Sequence, residues 1–229
     1  MALIETLPYS LSRAGPPIME GVGNYYIEVL ARGSSTKHSA LTLYLLDTHA
    51  YSPDERHFKG YDWLKQNQID WFEKTSASLK ADHTGYSHIH MDLAFIHIPL
   101  PEYRDDKNPR VGEWREGVTA PTFNSGFRDA LVNAGVVMVS CGHDHANEYC
   151  ALSQSKNDKV HKDGIWMCYA GGAGFGGYGG YGGYHRRLRF FEVDVNVASI
   201  TTWKRVEWGE TKKRIDEQVI VHSGRPKHS

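Results

Sequence analysis

The stretch Val136-Val137-Met138-Val139-Ser140-Cys141-Gly142-His143-Asp144-His145 decides the fold. Its first four residues are continuously apolar, which suits a strand in the middle of a sheet covered on both faces. Two histidines one residue apart follow at once. Gly142 lets the backbone turn sharply as it leaves the strand. Alternate residues of an extended segment point the same way, so His143 and His145 can face one cavity. Neutral imidazole is a ligand for zinc-, iron- or manganese-type ions.

Working upstream, residues 91–98 form a second, mostly apolar strand that ends at Pro99. Between the two strands lie a polar loop (residues 102–119) and a helix expected over 125–134 and closed by Gly135. Strand, helix, strand in this order predicts an α/β layered architecture. Neighbouring strands of such a sheet deliver their C-terminal ends to one edge, where sites form. His97, at the end of the upstream strand, therefore becomes the third candidate ligand. A lone histidine in an apolar strand is more often a hydrogen-bonded core residue, and the downstream pair is what favours a ligand role.

Farther out, aromatic and β-branched content predicts a strand over 25–30, joined through the polar turn 32–39 to a strand over 41–46 as a hairpin. Apolar spacing at Ile69, Trp71, Phe72 and Leu79 predicts a helix over 65–80, with Asn67 a candidate cap. Downstream, 165–169 reads as a strand, and 188–197 with 199–206 as an antiparallel pair turning around Asn196. From Glu210 the chain is charged and polar, which predicts a frayed tail over 210–229. The Gly/Tyr tract 171–184 reads as a loop over a site mouth, because glycines let backbone approach a ligand closely. It has neither the strand-before, helix-after context nor the Lys of a phosphate-cradling loop.

The bulk numbers narrow the classes. The chain has 229 residues, 40% hydrophobic and 23% charged, with a formal net charge of −1, the profile of an ordinary globular domain. That charge gives no sign of a nucleic-acid or membrane-surface partner. Only Arg186, Arg187 and Arg189 flank the Gly/Tyr tract, too few for a basic single-strand groove. No stretch is apolar enough to span a bilayer. Residues 1–10 lack the basic and apolar regions of a signal peptide, and no compartment is assigned. Cys141, Cys150 and Cys168 are odd in number without C-x-x-C spacing, which predicts reduced, partly buried thiols rather than a disulfide framework.

Phe95-Ile96-His97-Ile98-Pro99-Leu100-Pro101-Glu102-Tyr103 together with Gly142-His143-Asp144-His145 resembles the last two metal motifs of the calcineurin-like metallophosphoesterases. The similar branch is the fungal and plant group related to purple acid phosphatases. Residues 7–16, 21–26, 45–52 and 59–72 fit the same branch, and the resemblance runs to about Val206. It implies a four-layer α-β-β-α sandwich and hydrolysis of phosphate esters at two metal ions of Fe, Zn or Mn type. The substrate would be a phosphoprotein or a small phosphomonoester, attacked by hydroxide held on metal while the two ions clamp the attacking and departing oxygens. By resemblance, His97 and His143 bind one metal and His145 the other.

The family also draws ligands from an Asp-x-His, a Gly-Asp and a Gly-Asn-His placed earlier. No such ligand motif precedes His97; Asp47 and His49 fall in a segment that carries no ligands in the family. The chain is thus expected to hold the C-terminal portion of a phosphoesterase domain over 1–209, lacking the N-terminal half, with at most one weakly held metal. The alternative is a catalytically inactive remnant or a non-enzymatic binding fragment.

Overall fold

The computed structural model describes residues 1–31, 38–83, 89–155, 164–175 and 185–228. The elements in chain order are α1 (Ala2–Glu5), β1 (Tyr25–Leu30), β2 (Ser39–Leu45), α2 (Gln66–His83), β3 (Met91–Phe95), β4 (Arg110–Val111), α3 (Phe127–Asn133), β5 (Val136–Cys141), β6 (Cys150–Ser153), β7 (Ile165–Tyr169), β8 (Arg187–Asp194), β9 (Ser199–Val206), β10 (Ile215–His222) and β11 (Arg225–Pro226). Among the described residues they build one seven-stranded sheet, ordered β1-β2-β3-β5-β7-β6-β4, and one four-stranded sheet, ordered β11-β10-β9-β8.

The centre of the larger sheet is parallel: β2 pairs with β3, β3 with β5, and β5 with β7. These strands are the apolar runs of the sequence, and every residue of β5 and β7 is buried. α2 joins β2 to β3 and α3 lies between β3 and β5, the crossovers that parallel pairing requires. Both helices cover one face, where Phe72 meets Tyr44 at a ring-centroid distance of 5.0 Å and Phe127 at 5.4 Å. The four-stranded sheet covers the other face. There Ile200, Ile220 and Val221 join Met138, Trp166 and Leu93 in one buried cluster. Helix layer, sheet and sheet are thus three layers of a mixed α/β fold. Fully burying each such side chain is worth about 1.5–3 kcal/mol.

Several boundaries match expectation. β1 and β2 form the antiparallel hairpin, and Gly135 closes α3 with φ 76°. Asn67 is the second residue of α2 rather than its cap.

Three expectations are corrected. Within the tail expected over 210–229, the described residues 210–228 are not frayed: β10 pairs with β9, and its Ile220 and Val221 have no exposed surface. Its apolar run Val219-Ile220-Val221 is only three residues long and follows three polar ones, a weak signal against so many charges. The second correction concerns cysteine. Cys150 and Cys168 form a disulfide, because β6 lies antiparallel to β7 in a register that sets the two directly opposite. Only Cys141 is a free, buried thiol. β6 itself, too short to read from the sequence, is what brings the two sulfurs together. The third is His97, which lies just past the end of β3 and is exposed rather than held in a buried strand. The expected loops over 32–39 and 171–184 fall largely outside the described residues.

Candidate metal centre

β3 and β5 are parallel neighbours, so their C-terminal ends emerge at the same sheet edge. The main chain ties the two exits together. Ile96 N–H donates to Ser140 O at 3.0 Å, and Gly142 N–H donates to His97 O at 3.1 Å. The imidazoles of His97 and His143 end 5.3 Å apart between ring centroids, crossed at 82°. Gly142 permits this approach, since a Cβ there would stand 3.3 Å from His97 Nδ1. His143 and His145 are half-buried. Gly172 crosses directly beneath His145: its N–H donates to His145 O at 3.0 Å, and a Cβ on it would sit 2.9 Å from His145 Cβ.

His143 has a left-handed backbone, φ 74°. Such a conformation in a residue other than glycine costs about 1–3 kcal/mol and persists only where the surroundings over-determine it. Asp144 supplies that constraint. Its buried carboxylate accepts the Thr119 N–H at 3.2 Å, the Thr119 hydroxyl, and the Tyr169 hydroxyl at 2.6 Å. Three residues further, Asn147 Oδ1 accepts the N–H groups of Arg115 and Glu116 at 3.0 and 3.1 Å. The Glu116 carboxylate accepts the Ala146 N–H at 2.6 Å. The polar loop 102–119 is therefore fastened onto the histidine loop at several points.

Electrostatics favour a neutral His143 ring. Burial pushes the His143 pKa below its usual value; Asp144 opposes this, while His97 and His145 push it further down. The neutral form is the one that ligates metal. Tyr61 completes the surroundings, its ring 4.3 Å from that of His143 at 90°.

Asp47 and His49 lie at the same edge but are otherwise engaged. Asp47 accepts the N–H groups of Val22 and His49 at 2.7 and 2.8 Å, and His49 Nε2 pairs with Gln68 Oε1 at 2.8 Å. Among the described residues, no group of three or more His, Cys, Asp or Glu is arranged to hold a metal ion. His97 and His143 offer a pair of imidazole donors at this edge, the type of donor zinc accepts. They fall short of the three protein ligands of a catalytic zinc site.

Two contributors escaped the sequence reading. In the sequence Asp144 stands only as the residue between two histidines, because its clamp is completed by Thr119 and Tyr169, each 25 positions away. Tyr61 comes from a loop far upstream, with no local signal pointing to His143.

No protein-family model matches the chain. It is 40% identical over 236 residues to phosphatase DCR2 of Saccharomyces cerevisiae, covering 98% of this chain and 39% of that protein. It is 36% identical over 239 residues to an Arabidopsis thaliana protein named probable inactive purple acid phosphatase 29, covering 95% of this chain and 58% of the relative. A purple acid phosphatase from yellow lupin seeds, PPD1, superposes with a TM-score of 0.45 at 11% identity, over 84% of this chain and 34% of that one. The chain spans between 39% and 58% of the length of these two curated relatives.

Proposed function

We propose, for a chain related along almost its whole length to a yeast phosphatase and to plant proteins named probable inactive purple acid phosphatases, that it carries the C-terminal histidine ligands of a metal-dependent phosphate-ester hydrolase. The single observation that supports this most is the convergence of the β3 and β5 exits, which brings His97 and His143 to 5.3 Å. His97, His143 and His145 would hold the metal. A bound ion of Fe, Zn or Mn type would supply Lewis acidity and an activated water at neutral pH.

The chain's own residues do the positioning. Gly142 lets the two rings approach, Asp144 locks the strained loop between His143 and His145, and Gly172 buttresses His145 from below. A two-ion site needs ligands beyond these three, so this chain by itself is expected to bind at most one ion weakly. The three layers seen here are read as part of a four-layer α-β-β-α sandwich.

A second reading, a catalytically inactive phosphatase-like module, is favoured by the plant relatives whose names call them inactive. Metal titration of the chain by calorimetry, with elemental analysis and a chromogenic phosphomonoester assay alongside, tests both. At most one ion per chain, lost in His143→Ala, and near-background turnover are expected. Two tightly held ions with brisk turnover would overturn the ligand deficit, and unchanged metal binding in His143→Ala would remove that residue from the set.

A further inference from the structure

Beside the histidines stands an aromatic pair that the proposed chemistry does not use. Tyr51 and Tyr61 stack with ring centroids 4.9 Å apart and an interplanar angle of 17°. Tyr61 in turn meets the His143 ring at 4.3 Å. Tyr51, Tyr61, His143 and His97 therefore form a continuous row of rings that runs from open surface to the imidazoles. Tyr51, at its outer end, is 67% exposed.

An exposed tyrosine is ordinary by itself. This one is held. The two residues are joined by an isolated antiparallel bridge. The strap between them is closed by Ser52 N–H donating to Gly60 O at 2.8 Å and Asp62 N–H donating to Ala50 O at 2.9 Å. Its underside is packed by Phe58 on Trp63 at 4.7 Å and by Trp63 on Phe123 at 4.7 Å. A large planar face is thus presented to solvent with little conformational freedom left to lose, which is how rigid aromatic anchors gain affinity cheaply.

We propose that Tyr51 and Tyr61 form a stacking platform that selects phosphate esters whose alcohol is aromatic, placing the ester's ring on the platform and its phosphate toward the imidazoles. The proposal rests on the phosphate-ester reading of the histidine site. An alkyl phosphate has the same charge and the same phosphate oxygens but no planar face, so the platform discriminates between the two classes and leaves the phosphate contacts alone. An offset or edge-to-face ring pair is worth enough to favour the aryl ester roughly 2- to 12-fold.

The test is calorimetric titration of the full chain, with manganese present, by inorganic phosphate, propyl phosphate and phenyl phosphate. Phenyl phosphate is expected to bind roughly 2- to 12-fold more tightly than propyl phosphate. Tyr51→Ala should bring phenyl phosphate down to the propyl value, whereas Tyr51→Phe, which keeps the ring, should retain the preference. Equal affinities for the two esters, or a preference that survives Tyr51→Ala, would overturn the platform while leaving the phosphate reading intact. Failure of all three ligands, inorganic phosphate included, would overturn the phosphate reading and the platform with it.

Discussion

Replacing Glu148 with Gln tests how the seam between the two sheets is held. Glu148 is 3% exposed, and its carboxylate accepts from Arg187, 6% exposed, and from Lys204, 1% exposed. The Lys204 contact is 2.9 Å, and Lys204 also meets Asp216 at 2.5 Å. Arg187 and Lys204 come from the smaller sheet, while Glu148 lies just before β6 in the larger one. Glu148 also meets Arg115 at 3.2 Å, so its carboxylate sits among three cations, and Arg187 and Lys204 are the two that burial would otherwise make very costly. Removing one partner of a buried ion pair costs about 3–5 kcal/mol, because the remaining charge is left uncompensated. At roughly 2–4 °C per kcal/mol for a chain of this size, Glu148→Gln should melt about 6–20 °C below the parent.

The pH dependence gives an independent check. Burial alone would raise the Glu148 pKa, but Lys204 and Arg187 outweigh it and hold the group below its ordinary 4.5. A carboxylate whose folded pKa is depressed contributes stability that is fully present above the unfolded value and is lost as pH falls through the folded one. The gap between parent and Glu148→Gln should accordingly be constant above about pH 5 and shrink steadily below 4.5. Urea denaturation at pH 7 and pH 3.5, with the same slope for both proteins, reads it directly. A loss under about 1 kcal/mol at pH 7, or a gap that does not narrow in acid, would refute the reasoning.

Three further outcomes are expected. Asp144→Ala removes the acceptor of Thr119 and Tyr169 and should weaken metal binding about 10- to 100-fold, as loss of such supporting partners does; calorimetric affinity within twofold of the parent would count against it. Thiol titration of the unfolded, unreduced chain should find one thiol, from Cys141, and three after reduction. Reduction should also lower stability by about 3 kcal/mol for a loop of this length, seen as a lower urea midpoint. Ile220→Ala should cost about 2–5 kcal/mol because Ile220 is fully buried in β10; a change within error would mean that the strand does not dock.

Much of the larger sheet was legible in the sequence. The apolar runs that became β3, β5 and β7 and the helical spacing of α2 are local patterns, set by what a residue's near neighbours must bury. The place of the histidine loop at the end of β5 was legible for the same reason, although its path was not: the left-handed backbone of His143 departs from the strand alternation expected there. Even the meeting with His97 followed from a topological rule, because parallel neighbours end at one edge.

What only the tertiary structure decided depends on pairings between segments far apart in the chain. The Cys150–Cys168 bridge required the register of β6 against β7, and a strand of four residues carries too little periodicity to reveal it. β10 gained its place by covering Met138 and Trp166, a burial that its charged surroundings conceal. Asp144 became a clamp only when Thr119 and Tyr169 converged on it, and Tyr61 reached His143 across 82 positions of chain. Local patterning determines which residues must leave water; which partners they meet there is settled by packing two sheets and a helical layer to native density, a cooperative outcome that no short window of sequence contains.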